Sequence, residues 1–497
     1  MRPAVLLAVT AGCAAASLVA PAAQVPSTPA KPDFSAIRAF VNTEMGLGTK
    51  TPSVAVAVAR GNEILWEEGF GSIDGPGGTV ATPTTLYYAA SVTKAITATA
   101  VMILRERQQL DLDRPANLYL KAAKLRSPHW NADEATVKHL ATHTAGLATF
   151  HSEEQTPAAE IIRRYGIVFR RPGDQFDYSN LGFGVLGQII AEVSGRRFQA
   201  FVHDEVLKPL AMAHAWAGAS PKSRHAVAPR YISFLRKFSP PLPEPTLPGG
   251  SVLYCSAHEL ALFGMFHLKA RHPAQKPVLS DAAIDELQVP AATSGNMRHS
   301  LAWSINDNQH GYRTLLAQGG TWDSQAWLLL VPSENLAVVV LANGGDVPAR
   351  EAIDRILALM LPTYRENLAK APASSATAPA ATSVGAAPPE LVGVWSGEIQ
   401  THGGNVPLAL TVASGGEVEA KLGMAAAIKA TNVRLNGNRL TGRVRASLGI
   451  EYPNVTPPPH ELRLQLSRQG NKLIGAAITY DYPNLPFWVE LTPIAEK

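Results

Sequence analysis

Ser91-Val92-Thr93-Lys94 opens a run with apolar residues at helical spacing that extends to Arg105. Residues three positions apart at the start of a helix share one face, so the amine of Lys94 can reach the hydroxyl of Ser91. A serine hydroxyl becomes nucleophilic when a base takes its proton, and a lysine serves as that base when burial or a neighbouring charge lowers its pKa. The helix N-terminus adds free N–H groups that can bind a developing oxyanion. This segment therefore predicts a nucleophilic serine with a lysine partner.

The spacing of Ser91 and Lys94 is weak support by itself, because a chain of 497 residues is expected to hold about one such pair by chance. The pair occurs once here, after two predicted strands (Val54–Ala59 and Glu63–Phe70) and at a predicted helix start. The alternative is an ordinary N-terminal serine beside a solvated lysine.

Tyr178-Ser179-Asn180 lies just ahead of a second predicted helix. A phenol held near a lysine can share or relay a proton, and an asparagine amide can bind a substrate carbonyl. The same Tyr-x-Asn spacing recurs at Tyr452 and Tyr482, where turns are expected. The segment is therefore a candidate site whose spacing alone has low specificity.

Gln318-Gly319-Gly320-Thr321 comes before two apolar runs that predict a buried hairpin. Glycines let a strand edge pass close to a ligand, and a backbone N–H there can complete an oxyanion hole. The alternative is a plain turn that leads into a strand.

The bulk properties predict a globular chain of two or three domains, with 46% apolar and 17% charged residues. The net charge of +4 forms no basic block, which argues against nucleic acid as a partner. An Ala, Pro and Ser-rich stretch predicts a linker. The predicted division is a signal peptide (1–23), an exposed stretch (24–33), a hydrolase domain (34–365), a linker (366–389) and an all-β domain (390–497).

The N-terminus is typical of an export signal, with Arg2, an apolar run from Ala4 to Ala20 and small residues around Ala22. We therefore expect a periplasmic or secreted protein with no membrane span in the mature chain. The alternatives are an uncleaved anchor and a lipid attached at Cys13. Once Cys13 is removed, Cys255 stands alone and is expected to be a small buried residue.

The C-terminal region holds short strand-like runs separated by turn residues, which predicts a small all-β domain, either a barrel or a sandwich. Its aromatic residues Tyr482, Phe487 and Trp488 would suit a lid over a site, but core packing is the favoured interpretation. The domain's role as a lid, a wall-binding module or an inhibitory cap stays open.

Residues from about 34 to 362 resemble the penicillin-recognising serine hydrolases, which include class C β-lactamases, DD-carboxypeptidases, D-aminopeptidases and related esterases. The matching segments are Ser91-Val92-Thr93-Lys94, His139 to Leu147, Tyr178-Ser179-Asn180, Pro248 to Ala261, Gln318 to Thr321 and Val331 to Gly344.

The resemblance implies an α/β (α+β) fold with a central antiparallel sheet flanked by helices, plus a helical subdomain. It implies acyl transfer through Ser91, with Lys94 and Tyr178 moving protons, and an oxyanion hole formed by the backbone N–H groups of Ser91 and Thr321. It implies neither a metal nor another cofactor. His143 lies in a loop that is structural in the family.

Gln318 departs from the family pattern, in which a lysine or histidine at this position helps to bind a substrate carboxylate. A neutral amide cannot supply that charge, which favours neutral esters or amides over penicillins and D-Ala-D-Ala peptides. Trp322 and Asp323 also replace a small turn, and either could narrow the pocket or bring a carboxylate to its edge.

Three hypotheses remain open for function. The first is an acyl hydrolase, either an esterase or a peptidase that acts on D-amino acids or peptidoglycan, with a small ester, amide or peptide as its partner. The second is a true β-lactamase, and the third is a catalytically silent envelope protein that binds a ligand. The oligomeric state has no sequence signal.

Overall fold

The structure is a computed structural model that describes residues 32–149, 156–221, 227–371, 386–450, 459–480 and 484–494. The predicted signal peptide, most of the predicted linker, Tyr452 and Tyr482 lie outside these residues. The helices are α1 (Ser35–Thr43), α2 (Thr93–Glu106), α3 (Ala116–Tyr119), α4 (Val137–Ala141), α5 (Ala158–Tyr165), α6 (Asn180–Ser194), α7 (Phe198–Val202), α8 (Ala257–His267), α9 (Asp281–Leu287), α10 (Ala349–Met360) and α11 (Pro362–Lys370). Short 3₁₀ turns cover Ala132–Glu134, Ser233–Leu235 and Pro332–Glu334, and a π turn covers His203–Leu207.

The strands fall into two large groups, one before and one after the predicted linker. The first group is β1 (Ser53–Arg60), β2 (Glu63–Gly71), β3 (Tyr87–Ala90), β4 (Trp216–Ala217), β5 (Tyr231–Ile232), β6 (Lys237–Phe238), β7 (Leu253–Cys255), β8 (Ala292–Ser294), β9 (Met297–His299), β10 (Ser304–Gln309), β11 (Tyr312–Thr321), β12 (Ser324–Val331) and β13 (Leu336–Ala342). The second group is β14 (Gly393–Thr401), β15 (Gly404–Val412), β16 (Val418–Leu422), β17 (Ile428–Lys429), β18 (Thr431–Asn436), β19 (Arg439–Ala446), β20 (His460–Gln469), β21 (Lys472–Thr479) and β22 (Pro486–Pro493).

An eight-stranded antiparallel sheet in the order β2-β1-β13-β12-β11-β10-β9-β8 forms the centre of the N-terminal region. Strand β1 pairs with β13 from Val54 opposite Ala342 to Arg60 opposite Leu336, so the two ends of this region meet inside the sheet. The valines of β1 pack against α1 and α10, and its alanines belong to the core on the opposite face with α8. A strand covered on both faces is apolar throughout, and the predicted sheet flanked by helices is confirmed.

The helical subdomain is built from α2 to α7, with α6 packed against both α2 and α4. A small three-stranded sheet, β3-β7-β4, adjoins it. Strand β3 contacts β11 and β12 of the central sheet and leads directly into α2. Ser91 therefore lies at the junction between the central sheet and the helical subdomain.

The C-terminal region is a nine-stranded antiparallel sheet in the order β17-β16-β15-β14-β22-β21-β20-β19-β18. Its two edge strands, β17 and β18, are separated in sequence by Ala430 alone, so the edges are brought together and the sheet nearly closes. Alternate residues of β16 are buried, as expected of a strand with one face inside a barrel. The prediction of a small barrel-like all-β domain is confirmed. The side chain of Trp488, on β22, is fully buried.

Several local predictions differ from the structure. The sequence predicts residues 350–361 as the last helix before the linker, but α11 follows α10 and runs past the predicted domain end at 365 to Lys370. Leu361 has an extended backbone, and Pro362 then fits the first position of a new helix, where its missing N–H costs nothing. Strand β22 was not predicted, because prolines at both ends obscure its strand pattern.

Cys255 lies in β7 and is fully buried, as expected for a small apolar residue. Burial raises the pKa of its thiol well above the ordinary value, so the group stays in the unreactive thiol form. None of the helices within the described ranges is both long and apolar enough to cross a membrane.

Candidate active site

Ser91 is fixed by an unusual backbone turn between β3 and α2. Ala90, directly before it, has a φ of 43°, a left-handed conformation that costs energy for a residue with a Cβ atom. The hydroxyl of Thr93 donates to the Ala90 carbonyl oxygen at 2.6 Å and accepts the backbone N–H groups of Val252 and Leu253. These bonds hold the turn in place, so Ser91 stands at a preorganised position at the helix start.

Lys94 lies one helical turn after Ser91, as its spacing predicts. Its Nζ donates to Ser91 Oγ at 3.0 Å, to Asn180 Oδ1 at 2.7 Å and to the carbonyl oxygen of Gly250 at 2.8 Å. The side chain is only 3% exposed. Burial lowers the pKa of Lys94, and the nearby Tyr178 partly offsets that effect. A lysine with a lowered pKa is the kind of base that a serine nucleophile needs.

Tyr178 contacts the same serine oxygen and lies beside Lys94. Its hydroxyl donates to Ser91 Oγ at 2.8 Å, and Lys94 Nζ stands 4.8 Å from the centre of its ring. The next residue but one, Asn180, is the first residue of α6, and the hydroxyl of Ser179 caps that helix by accepting the N–H of Gly182. The two predicted segments therefore converge on one serine oxygen.

His143 holds the backbone on both sides of Tyr178. Its carbonyl oxygen accepts the N–H of Asp177 at 2.7 Å, and its Nδ1 accepts the N–H of Ser179 at 3.0 Å. Burial and the charge of Lys94 hold the pKa of His143 well below its usual value, so the ring stays neutral. Both bonds are positioning contacts, in agreement with the structural interpretation made from the sequence.

Strand β11 passes directly behind the nucleophile. A Cβ atom on Gly319 would stand 2.1 Å from the carbonyl oxygen of Ala89 and 2.7 Å from the backbone nitrogen of Ser91, closer than real contacts allow. Glycine is therefore required there for the strand to reach Ser91. Gln318, Gly320 and Thr321 line the same pocket. The oxyanion role of the Ser91 and Thr321 N–H groups stays a prediction.

The pocket in front of Ser91 has a volume of about 570 Å³. Phe176 and His299 form one wall, with their rings stacked at a centroid distance of 4.0 Å. Burial lowers the pKa of His299, which favours its neutral form. Within the described part of the lining, Lys94 is the one lysine or arginine.

Phe176 and His299 were not identified from the sequence. His299 belongs to the short strand β9, whose residues Met297–His299 are too few to establish a period. Phe176 lies in a segment without regular structure. A single phenylalanine or histidine does not indicate a pocket wall unless its stacking partner is known. The sequence therefore contains no pattern that identifies these two residues as part of the site.

Asp323 corrects one expectation about the pocket edge. Its side chain is buried, and its carboxylate accepts bonds from Arg230 at 2.8 Å and from Thr321 at 2.5 Å. It therefore faces into the protein and presents no carboxylate to the pocket. Trp322 is 60% exposed and is absent from the described pocket lining, so it does not narrow the pocket.

The described residues contain no group of three or more His, Cys, Asp or Glu side chains placed to hold a metal ion. Around Ser91 Oγ, the Lys94 amine and the Tyr178 phenol make direct contacts, and the Asn180 amide accepts from the same amine. Such an arrangement is suited to proton transfer to and from a nucleophilic oxygen.

The fold and the Ser–Lys–Tyr arrangement define a serine hydrolase type of protein, and the comparisons identify its family. The Beta-lactamase family model matches residues 36–360, more than half of the sequence, so this chain belongs to the beta-lactamase family. Protein flp of Staphylococcus aureus (strain NCTC 8325 / PS 47) is 25% identical over 307 residues. That match covers 59% of this chain and 59% of Protein flp, so less than two thirds of that relative is spanned.

Two solved structures show how far the fold is shared. The octameric penicillin-binding protein homologue from Pyrococcus abyssi has a TM-score of 0.58 at 21% identity, and the match covers 91% of this chain and 100% of that one. A class C beta lactamase from Rhodobacter sphaeroides has a TM-score of 0.55 at 21% identity, covering 67% of this chain and 98% of that one. The first likeness extends over most of the chain, whereas the second covers about two thirds of it.

Proposed function

We propose that this protein is a serine acyl hydrolase that cleaves a neutral ester or amide through a covalent acyl-Ser91 intermediate. The observation that carries the proposal is the double contact on Ser91 Oγ, with Lys94 Nζ at 3.0 Å and the Tyr178 hydroxyl at 2.8 Å. Both distances lie within the range that proton transfer requires.

In the proposed first step, Ser91 Oγ attacks the substrate carbonyl carbon while its proton passes to the Lys94–Tyr178 pair. The carbonyl oxygen becomes an oxyanion, held by the N–H groups of Ser91 and Thr321. Collapse of this intermediate breaks the bond to the leaving alcohol or amine, which takes the proton. Water then attacks the acyl-enzyme by the same route, releasing the acid and restoring the serine.

Asn180 is proposed to bind the substrate carbonyl group. Its Oδ1 accepts from Lys94, and no hydrogen bond within the described residues involves its Nδ2. An amide held on one side keeps its N–H₂ donors available on the other. This contact would orient the acyl group towards Ser91.

The preference for neutral substrates rests on the charges around the pocket. Lys94 is the one lysine or arginine among the described lining residues, and it is already bonded to three acceptors. Gln318 carries no charge, and the lowered pKa of His299 favours a neutral ring. A substrate carboxylate would therefore enter the pocket without a partner cation, at a cost in desolvation.

Intact-mass spectrometry during turnover tests the proposal. The wild-type protein and its Ser91→Ala variant are mixed with a short-chain nitrophenyl ester, a cephalosporin or a D-alanyl peptide. We expect an acyl adduct and turnover with the ester, and neither with the variant. Strong cephalosporin turnover would keep the hydrolase and reject the substrate preference. No adduct and no turnover with any compound would favour a silent binding protein.

The variant Gln318→Lys tests the charge argument directly. A cation at this exposed position of β11 would face an incoming carboxylate. We expect the ratio of kcat/KM for the D-alanyl peptide to that for the neutral ester to rise by about tenfold or more, since charged hydrogen bonds contribute about 1.5–3 kcal/mol. The isosteric variant Gln318→Glu should move the ratio in the opposite direction. An unchanged ratio in both variants would contradict the argument.

We also propose that the protein is exported after removal of residues 1–23. The sequence of the N-terminus supports this, because a short apolar run and small residues precede a polar stretch. N-terminal sequencing of protein recovered from the envelope fraction tests it. A mature chain that still begins at Met1 would reject cleavage.

A further inference from the structure

Arg170 lies between the C-terminal barrel and the segment that carries Tyr178. Its Nε stands 2.8 Å from Asp177 Oδ2, and its Nη1 donates to the hydroxyl of Ser467 on β20 at 3.3 Å. The two charged side chains are only 16% and 24% exposed. The ion pair is therefore largely shielded from water. The interaction energy of such a pair depends more strongly on its geometry than that of a surface pair does.

Asp177 fixes the backbone from which Tyr178 reaches Ser91. Its N–H donates to the carbonyl oxygen of His143 at 2.7 Å, and its carboxylate also accepts from Gln175 Nε2 at 2.6 Å. With Arg170 on the other side, the residue before Tyr178 is restrained by three separate contacts. A shift of Asp177 would therefore move the phenol away from the serine oxygen.

The barrel holds the Arg170 segment by apolar packing as well. Phe169 stacks on Trp488 of β22 with ring centroids 5.9 Å apart and an interplanar angle of 22°. Ala148 belongs to the same apolar cluster, and its carbonyl oxygen accepts the hydroxyl of Ser179 at 2.9 Å. The barrel therefore packs against residues that contact both neighbours of Tyr178.

We infer that Arg170 is a positioning residue that couples the barrel to Tyr178, so that the barrel contributes to the chemical step without touching substrate. This inference rests on the proposed function, since it requires that Tyr178 takes part in acyl transfer. A displacement of about 1 Å in a reacting group can cost about 10²-fold in rate. The loss should fall on kcat, because Arg170 is absent from the described pocket lining.

The test compares Arg170→Gln with Arg171→Gln in the full-length protein. Arg171 is a matched control because its side chain is 59% exposed and pairs with Glu134 on the surface. We expect Arg170→Gln to lower kcat for the nitrophenyl ester by about 10- to 100-fold with little change in KM. Arg171→Gln should retain wild-type values, and the conservative variant Arg170→Lys should be intermediate.

A double-mutant cycle with Tyr178→Phe separates positioning from general destabilisation. If Arg170 acts through Tyr178, the Arg170→Gln effect on kcat should largely disappear in the Tyr178→Phe background. An equal effect in both backgrounds, or a lowered Tm with unchanged kcat, would overturn the inference. Should Arg170→Gln fail to fold, Ser467→Ala removes only the polar link to the barrel and should lower kcat by a smaller factor.

The wild-type protein distinguishes the two proposals. A wild type that forms the acyl-enzyme while Arg170→Gln and Ser467→Ala both keep its kcat would overturn the coupling alone. A wild type that forms no acyl-enzyme would overturn the proposed function, and the coupling with it.

Discussion

At the scale of single residues, the environment of Lys94 explains how an amine can act as a base. Its three hydrogen-bond partners are a hydroxyl, an amide oxygen and a backbone carbonyl. No carboxylate of the described residues hydrogen-bonds to it, and the nearby Tyr178 offsets the effect of burial only in part. The charged form is therefore disfavoured, which lowers the pKa.

The pH dependence of acylation should follow this lowered pKa. Lys94 must be neutral to accept the Ser91 proton, so the acylation rate should rise with pH and level off below the ordinary lysine value of 10.5. Lys94→Gln should lower the rate by about 10²–10⁴-fold and remove this rise. Burst amplitudes and rates measured across pH with the nitrophenyl ester test both points.

The exposed Lys138 on α4 supplies the control, since its side chain is 45% exposed. Lys138→Gln should keep both the rate and its pH dependence. A pH profile that is the same in Lys94→Gln as in wild type would show that another group accepts the proton.

The sequence predicted the Ser91–Lys94 contact because the two residues are three positions apart where a helix starts; in the structure Ser91 lies in the turn just before α2, and Lys94 lies in its first turn. The contact between Ser91 and Tyr178 joins positions 87 residues apart, and no local period encodes it. The order of the motifs supplied that prediction through the family resemblance. Asp323 shows the limit of this approach, because its burial depends on Arg230, which lies far from it in sequence.

At the scale of secondary structure, β11 is the element with the least tolerance for change. A Cβ atom on Gly319 would stand 2.1 Å from the Ala89 carbonyl oxygen, whereas one on Gly320 would meet its nearest atom at 3.4 Å. The two adjacent glycines thus differ sharply in the space around them. The close approach of Gly319 keeps β11 against the backbone that carries Ser91.

We therefore expect Gly319→Ala to be much more harmful than Gly320→Ala. Separating β11 from β3 to make room should cost about 1–3 kcal/mol of the free energy of unfolding. It should also lower kcat/KM by displacing the Ser91 N–H. Urea denaturation and ester kinetics on both variants test this, and equal effects at the two positions would refute it.

The elements were predicted best where their pattern is local and regular. The two buried runs that became β12 and β13 are separated by a clear turn. Helix α11 was missed because the sequence pattern does not reveal that Pro362 starts a new helix after the extended Leu361. A proline predicts the end of one helix as readily as the start of another.

At the scale of the whole molecule, buried histidines make stability depend on pH. His267 is fully buried among aromatic rings, and burial lowers its pKa from 6.5 to about 3. The folded protein therefore takes up this proton less readily than the unfolded chain. The contribution to stability is present above about pH 6.5 and is lost progressively as pH falls from there towards 3.

His267→Phe should reduce this loss of stability in acid. Phenylalanine cannot be protonated and matches the surrounding rings, and the Thr99 hydroxyl keeps its bond to the carbonyl oxygen of Ala95. Urea midpoints measured between pH 4 and 7 should fall less steeply in the variant than in wild type. A variant with the wild-type slope would show that other groups, such as His143, dominate the acid sensitivity.

The composition predicted a linker between the hydrolase domain and the all-β domain, because an Ala, Pro and Ser-rich stretch cannot form a packed core. It did not predict that the barrel packs beside the segment carrying Tyr178. That contact depends on the shapes of two folded surfaces, such as the stacked rings of Phe169 and Trp488. Surface complementarity of this kind leaves no periodic pattern in either partner.

The pairing of β1 with β13 also determines the order in which this protein can be completed during synthesis. Val54 lies opposite Ala342. The β1–β2 hairpin therefore cannot pair with β13 until nearly the whole N-terminal region has been synthesised. Pairing between positions so distant in sequence is intrinsically slow to form. Ribosome-bound chains that stop before β13 should therefore lack protease resistance in β1, whereas chains that extend past β13 should acquire it.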